Sequence, residues 1–219
     1  MTSILLVSNS ARRRQLINLT GWIVCFDSAD IDESRQPGEP AREYVTRLAR
    51  EKAAAISGSP RAGYLLAADT IVVDGETIYG KPSSDDDARS ILKALRGHTH
   101  QVMTAITLVD HGKNTEISDL CVSDVPMRSY SDAELEKYIK SSDPMDKAGA
   151  YAIQNREFHP VEDFTGCFAS VMGMPLCHLA RSALKVGLLP SKGLAERCQA
   201  VLGYKCTIHE AVRRGDIIG

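Results

Sequence analysis

The chain has 219 residues, 43% apolar and 25% charged, the composition of a globular protein, and global disorder is excluded. Its 26 Lys plus Arg stand against 28 Asp plus Glu, a net charge of −2, so binding of nucleic acid by bulk positive charge is excluded too. That length is one domain, or one domain split by a cleft into two lobes.

Ile4–Val7 is a short apolar run that ends in Ser8-Asn9-Ser10, after which Arg12–Leu19 reads helical. The start lacks a basic leader and is apolar for only a few residues, so it reads as a first strand and not as a signal peptide. Ser8 or Ser10 is placed to cap the helix. Asp30–Pro40 is acidic, holds two prolines and reads as a loop. Glu43–Ile56 is amphipathic, with Tyr44, Leu48, Ala49 and Ala53 near one face. Gly58–Gly63 breaks the chain. Tyr64–Ala68 and Ile71–Asp74 read as two strand segments meeting at the polar pair Asp69-Thr70, with a turn at Asp74-Gly75. Gly80-Lys81-Pro82 is a second turn, and Asp85–Leu95 a helix with an acidic first turn that suits its dipole.

Gln101–Val109 and Asp119–Arg128 read as paired strands across a turn at Gly112. Ser131–Lys140 begins with a capping-box pattern and reads as a helix. Ala148–Gln154 and Cys167–Met172 read as extended, and Pro175–Val186 as a helix. Residues 188–219 form a C-terminal extension, helical or mobile, with helical pieces around Leu194–Leu202 and Ile208–Arg213. Strands alternate with helices, and the paired strands make the expected sheet mixed, so the fold class is α/β with a twisted mixed sheet and flanking helices. No run of roughly 18 apolar residues is present, so no membrane span is expected. The six cysteines are scattered without a CxxC pair and read as reduced packing thiols of a cytoplasmic protein. A zinc site of Cys198, Cys206 and His209 has spacings that fit no common zinc motif.

Four places carry the chemistry. Arg12, Arg13 and Arg14 follow a hydroxyl-rich turn at a helix start, where free N–H groups and guanidiniums together suit a phosphate chain. Consecutive arginines cannot all face one way, so one or two of them reach a ligand. Asp69 sits between apolar runs, and an acid there is costly without a partner or a task. It can hold a divalent cation and take a proton from an attacking water, or stabilise a turn. Glu33, Lys52 and Lys81 are single charges near element ends, each ordinary by itself. Gln154 presents both a donor and an acceptor, which suits a base edge. His98 and His100 read as solvent-exposed turn residues.

These pieces together resemble one family. Leu6-Val-Ser-Asn-Ser-Ala-Arg-Arg13, Tyr44–Lys52, Ala67-Ala-Asp-Thr-Ile-Val-Val73, Gly80-Lys81-Pro82, Gly97–Thr104 and Asp146–Gln154 occur in the order seen in the Maf family of nucleoside triphosphate pyrophosphatases. The resemblance covers about residues 3–187, the expected Maf-like domain of two lobes; 188–219 lie beyond it. It implies a mixed sheet with a deep cleft between two lobes, similar to the inosine triphosphatase fold. It implies hydrolysis of a nucleoside triphosphate to monophosphate and pyrophosphate with a divalent cation, Mg²⁺ or Mn²⁺. Asp69 matches the general base and, with Glu33, the metal position. Arg12, Thr70 and Gln154 match the set that separates members acting on dTTP and UTP from those acting on 7-methyl-GTP. Ser8, Arg13, Lys52 and Lys81 match phosphate-handling positions. The chain departs from the family at Ala11, where Pro is usual, at Arg14, at Asn155, where Gly is usual, in the Arg156–Pro160 insert and in a looser Gly166–Gly173 segment. The resemblance also implies a homodimer with a small-molecule nucleotide as substrate; the charge balance and hydropathy leave neither nucleic acid nor membrane as an expected partner. A second reading keeps the pocket without turnover, as a nucleotide-binding regulator of septum formation.

Overall fold

In the computed structural model, which describes residues 3–56, 62–216 and 218, strand β1 (Ser3–Val7) lies between two parallel neighbours, β2 (Ile23–Asp27) and β3 (Tyr64–Asp74). A strand flanked on both edges and covered on both faces must be apolar throughout. Ile4, Leu5, Leu6 and Val7 meet that demand, each at most 2% exposed. β3 pairs antiparallel with β5 (Thr99–Asp110), and β5 with β6 (Thr115–Pro126) in a long hairpin. Short β4 (Thr77–Tyr79) folds back onto the end of β3. The mixed sheet therefore runs β2-β1-β3-β5-β6, with β4 beside β3.

Helices follow from capping and from the faces they bury. They are α1 (Ala11–Ile17), α2 (Ala41–Ile56), α3 (Asp85–Leu95), α4 (Asp132–Lys140), α5 (Phe168–Val171), α6 (Leu176–Lys185), α7 (Leu194–Leu202) and α8 (His209–Arg214). Ser84 caps α3 through the Asp87 N–H, with Asp85, Asp86 and Asp87 in the first turn. Ser131 and Glu134 cap α4 reciprocally. Successive strand residues point to opposite faces. On β3, Leu65, Ala67, Ile71 and Val73 pack with Val45, Ala49 and Ala53 of α2, whereas Leu66, Ala68 and Val72 enter the larger core shared with α3, α4 and α6.

The elements differ from the sequence reading in several places, β2 and β4 among them, to which it assigned no strand. β3 is one continuous strand, because β5 pairs with it from Tyr64 to Val73 and bridges the polar pair. Cys167–Met172 is not extended: it holds α5 and a tight turn. Ala148–Gln154 is not a strand either, since Ala148–Ala150 is a 3₁₀ turn with Gly149 at φ +71°. Short apolar runs have no period that separates strand from buried helix. His100 is not a solvent-exposed turn residue but lies on β5, 2% exposed, with Nε2 2.8 Å from the Tyr151 hydroxyl. The break at Gly58–Gly63 lies mostly outside the described residues.

The segment after α6 packs back on the start of the chain. The Ser191 N–H donates to the Thr20 carbonyl at 2.8 Å, Arg197 Nη2 to the Leu19 carbonyl at 2.9 Å, and Trp22 Nε1 to the Leu189 carbonyl at 2.9 Å. Gly21, at φ +75°, leaves room for Ser191, whose Oγ would lie 2.7 Å from an added Cβ. Cys167, Cys177, Cys198, Cys206 and His209 line a small apolar void beneath this segment. Among the described residues no group of three His, Cys, Asp or Glu is arranged to hold a metal ion, and no helix is long and apolar enough to cross a membrane.

Candidate active site

A gap in strand pairing opens the cleft. β1 follows β3 only as far as Val7 opposite Ala67, and β4 joins the same edge only at Tyr79 opposite Val72. Residues 68–71 of β3 thus have no strand on that edge, although β5 covers the other. The space left over is a cleft of about 830 Å³. Ser8, Arg12, Arg13, Glu33, Lys52, Asp69, Thr70, Lys81 and Gln154 all line it.

Where β1 ends, the chain turns into α1. Ser8 N–H donates to the Asp27 carbonyl at 2.8 Å, and Ser10 Oγ caps the helix by accepting from the Arg13 N–H at 3.4 Å. The helix start sends Arg12 and Arg13 into the cleft. Arg14 turns back, with Nε on the Ser8 carbonyl at 3.0 Å and its guanidinium over the Phe26 ring.

One side of the cleft is built from charges. Lys52, on α2, places Nζ 2.5 Å from Asp69 Oδ1 and 2.7 Å from Glu33 Oε1. The Lys52 and Asp69 side chains are only 13% and 11% exposed, so each needs the other's charge to tolerate burial. Glu33 belongs to the acidic loop, which α2 ties down. Arg47 bonds Glu39 Oε1 at 2.7 Å and the Ser34 carbonyl at 2.9 Å, and the Tyr44 hydroxyl donates to the Glu33 carbonyl at 2.7 Å. The Arg47 guanidinium holds the Glu39 carboxyl down at about 2.

The opposite side is built from directed hydrogen bonds. Arg13 donates from Nε to the Gly173 carbonyl and from Nη2 to Thr70 Oγ1, both at 2.9 Å. Burial lowers the Arg13 pKa, and Asp69 works against that shift. Thr70 Oγ1 lies 2.9 Å from Thr104 Oγ1, and Thr104 donates to the Ser170 carbonyl at 2.8 Å. Gly173 has φ +100°, and a Cβ there would stand 3.1 Å from Arg13 Nε and 3.3 Å from Thr70 Oγ1. At the far wall, Arg12 Nη1 pairs with Asp146 Oδ2 at 2.9 Å, and Asp146 Oδ1 meets the buried Lys147 at 2.5 Å.

Thr104, Gly173, Asp146 and Lys147 are therefore parts of the site that residue-level reading passed over. Thr104 closes the Gly97–Thr104 stretch and Asp146-Lys147 opens the Asp146–Gln154 stretch, so both stretches held the signal. Gly173 ends the Gly166–Gly173 segment, which resembles the family only loosely, so its signal was weak. For a divalent cation the cleft offers Asp69 and Glu33, converging on one ammonium, while its third carboxylate, Asp146, pairs with Arg12 and Lys147. That donor set is too small for an all-protein cage but fits Mg²⁺, which takes one or two carboxylates and completes its shell with water and substrate phosphates.

The Maf-like protein family model matches residues 3–185. A dTTP/UTP pyrophosphatase of Chromobacterium violaceum is 44% identical over 181 residues, covering 80% of this chain and 90% of that one. Another, from Dehalococcoides mccartyi, is 39% identical over 194 residues, covering 87% and 85%. A third, from Anaeromyxobacter dehalogenans, is 40% identical over 186 residues, covering 84% and 94%. Among solved structures, a HAM1 protein from Coxiella burnetii aligns with TM-score 0.38 and 17% identity over 58% of this chain and 73% of that one, a likeness too slight to carry an argument. With the family model matched over most of its length and these relatives near 40% identity, the chain belongs to the Maf family.

Proposed function

We propose that this protein hydrolyses nucleoside triphosphates, dTTP and UTP and modified pyrimidine nucleotides among them, to the monophosphate and pyrophosphate. The observation that carries the reading is the convergence of Asp69, paired with Lys52, and the two arginines of α1 on one cleft. The relatives named dTTP/UTP pyrophosphatase supply the substrate class. We read the protein as cytoplasmic from its scattered cysteines and as a homodimer on the resemblance alone, and light scattering of the purified protein tests the assembly.

Arg12, Arg13, Lys52 and Lys81 neutralise the phosphate chain, and Ser8 adds a hydroxyl. A divalent cation, when bound, is held by Asp69 and Glu33 and supplies charge neutralisation at the phosphates. Asp69 takes the proton of a water as its oxygen attacks the α-phosphorus. The bond from the α-phosphorus to its bridging oxygen breaks, and pyrophosphate leaves with that oxygen. The Lys52 ammonium holds the Asp69 carboxylate in place. Because Arg13 is already fixed by Gly173 and Thr70, little reorganisation is needed when charge develops. Gln154 and Thr70 meet the pyrimidine edge.

Pyrophosphate release from a panel of nucleoside triphosphates with Mg²⁺ tests this. dTTP and UTP are expected to lead the panel. Nucleotide binding without release would favour the non-catalytic regulator instead.

A further inference from the structure

We infer that Thr104, beneath the cleft, leaves Thr70 only a lone pair to offer a ligand and thereby selects a base that donates from its N3 position, uracil or thymine over cytosine. The inference rests on the proposed reading in taking Thr70 to face the base, and it places the Thr70 hydroxyl at the N3 position.

The argument counts hydrogens. A threonine hydroxyl has one hydrogen and two lone pairs. The Ser170 carbonyl can only accept, and it already takes the Gly173 N–H at 2.7 Å. Thr104 Oγ1 lies 2.8 Å from that carbonyl, so its one hydrogen must go there, since two acceptors at that distance would repel. Thr104 is fully buried, and no water competes for the bond. The contact between Thr104 and Thr70, at 2.9 Å, then has one possible direction: Thr70 donates and Thr104 accepts. Arg13 Nη2, which can only donate, takes one lone pair of Thr70 at 2.9 Å. What remains is a single lone pair on the hydroxyl of a residue that lines the cleft.

An oxygen in that state cannot donate to a phosphate oxygen, so a phosphate gains nothing from it. It matches an N–H. Uracil and thymine carry a hydrogen on N3, whereas cytosine N3 is a bare acceptor and would meet the Thr70 lone pair head on. Unpaired or opposed polar groups in a closed site are what allow large discrimination between analogues of the same shape. Thr104 touches no ligand in this scheme. It is a positioning residue that sets the polarity of its neighbour.

The test compares dissociation constants of uridine and cytidine monophosphates, measured by calorimetry for wild type, Thr104→Val and Thr104→Ser. Neither ligand contains the bond that would be cut, so the result does not depend on turnover. Thr104→Val keeps the shape and frees the Thr70 hydrogen, and the preference for the uridine ligand is expected to fall about tenfold. Thr104→Ser keeps the hydroxyl and is expected to hold the preference within about twofold of wild type. Thr70→Val, which removes the acceptor at a less buried position, should lose the preference as Thr104→Val does and serves if the buried variant does not fold. An unchanged preference in Thr104→Val with an unchanged thermal melt overturns the inference, as does equal loss in Thr104→Ser, or a wild type with no preference. Wild type that binds with the preference yet releases no pyrophosphate from UTP with Mg²⁺ would instead overturn the hydrolytic reading and leave this one standing.

Discussion

Asp69 and Thr70 are neighbours on one strand, yet their side chains work in opposite settings. Asp69 points toward α2 and is held by ion pairs to Lys52, which also holds Glu33 on a loop. Thr70 points to the other face and is held by a chain of directed hydrogen bonds from Arg13 to the Ser170 carbonyl. Ion pairs tolerate a wide range of angles, whereas hydrogen bonds weaken steeply as they bend. The strand's period of two thus separates a side suited to moving charge from a side suited to reading shape and polarity.

The comparison can be broken or sharpened by experiment. The largest effect is expected at Asp69. Asp69→Asn should lower kcat by about 10³-fold while nucleotide affinity stays within a few-fold, measured by pyrophosphate release beside calorimetry. Retained turnover would remove the proton-accepting role from the charged side.

The second effect is on stability, behind the hydrogen-bonded wall. Burial lowers the His100 pKa to about 4, against an ordinary value near 6.5. The unfolded chain therefore binds a proton first as pH falls, and the stability from burying neutral imidazole is complete above about pH 6.5. It is lost progressively down to about pH 4, roughly 3 kcal/mol in all. Chemical denaturation across this window should show that fall, and His100→Gln should flatten it.

Gly173→Ala comes next. The new methyl crowds both Arg13 and Thr70, and kcat/KM should drop about 30-fold. Gly38→Ala is the control, because Gly38 also has positive φ, +72°, but nothing lies within 4 Å of an added Cβ. It should change the melt and leave activity alone. The smallest effect is ionic. Raising salt from about 50 to about 500 mM should increase KM about threefold for every nucleotide, with the ratio between UTP and CTP unchanged. A ratio that drifts with salt would mean the two walls are not separate.

Much of this was legible because it is local. β1, α3, α4, α7 and the β5–β6 hairpin follow from apolar runs, caps and turns, and the Maf motifs brought Ser8, Arg12, Asp69, Lys81 and Gln154 into one list before any geometry. What stayed hidden depends on contacts far apart in sequence. Thr104 matters because Ser170 accepts from it, 66 residues away. The 168–173 segment, α5 and a turn, presents the Ser170 carbonyl to Thr104 and the Gly173 carbonyl to Arg13, and no periodicity in six residues declares that. His100 reads as a polar turn residue until β5 is seen to begin at Thr99 and bury it.

Arg12 and Arg13 ride on a helix of only seven residues, too short to hold itself straight in water. The turn that follows it, Leu19 to Trp22, is moored to Leu189, Ser191 and Arg197, which lie past the stretch matched by the family model. That mooring works as a back-stay: slackening it with Arg197→Ala would let the two guanidiniums swing, loosening the grip on the phosphates from across the molecule with the proton-transfer chemistry untouched.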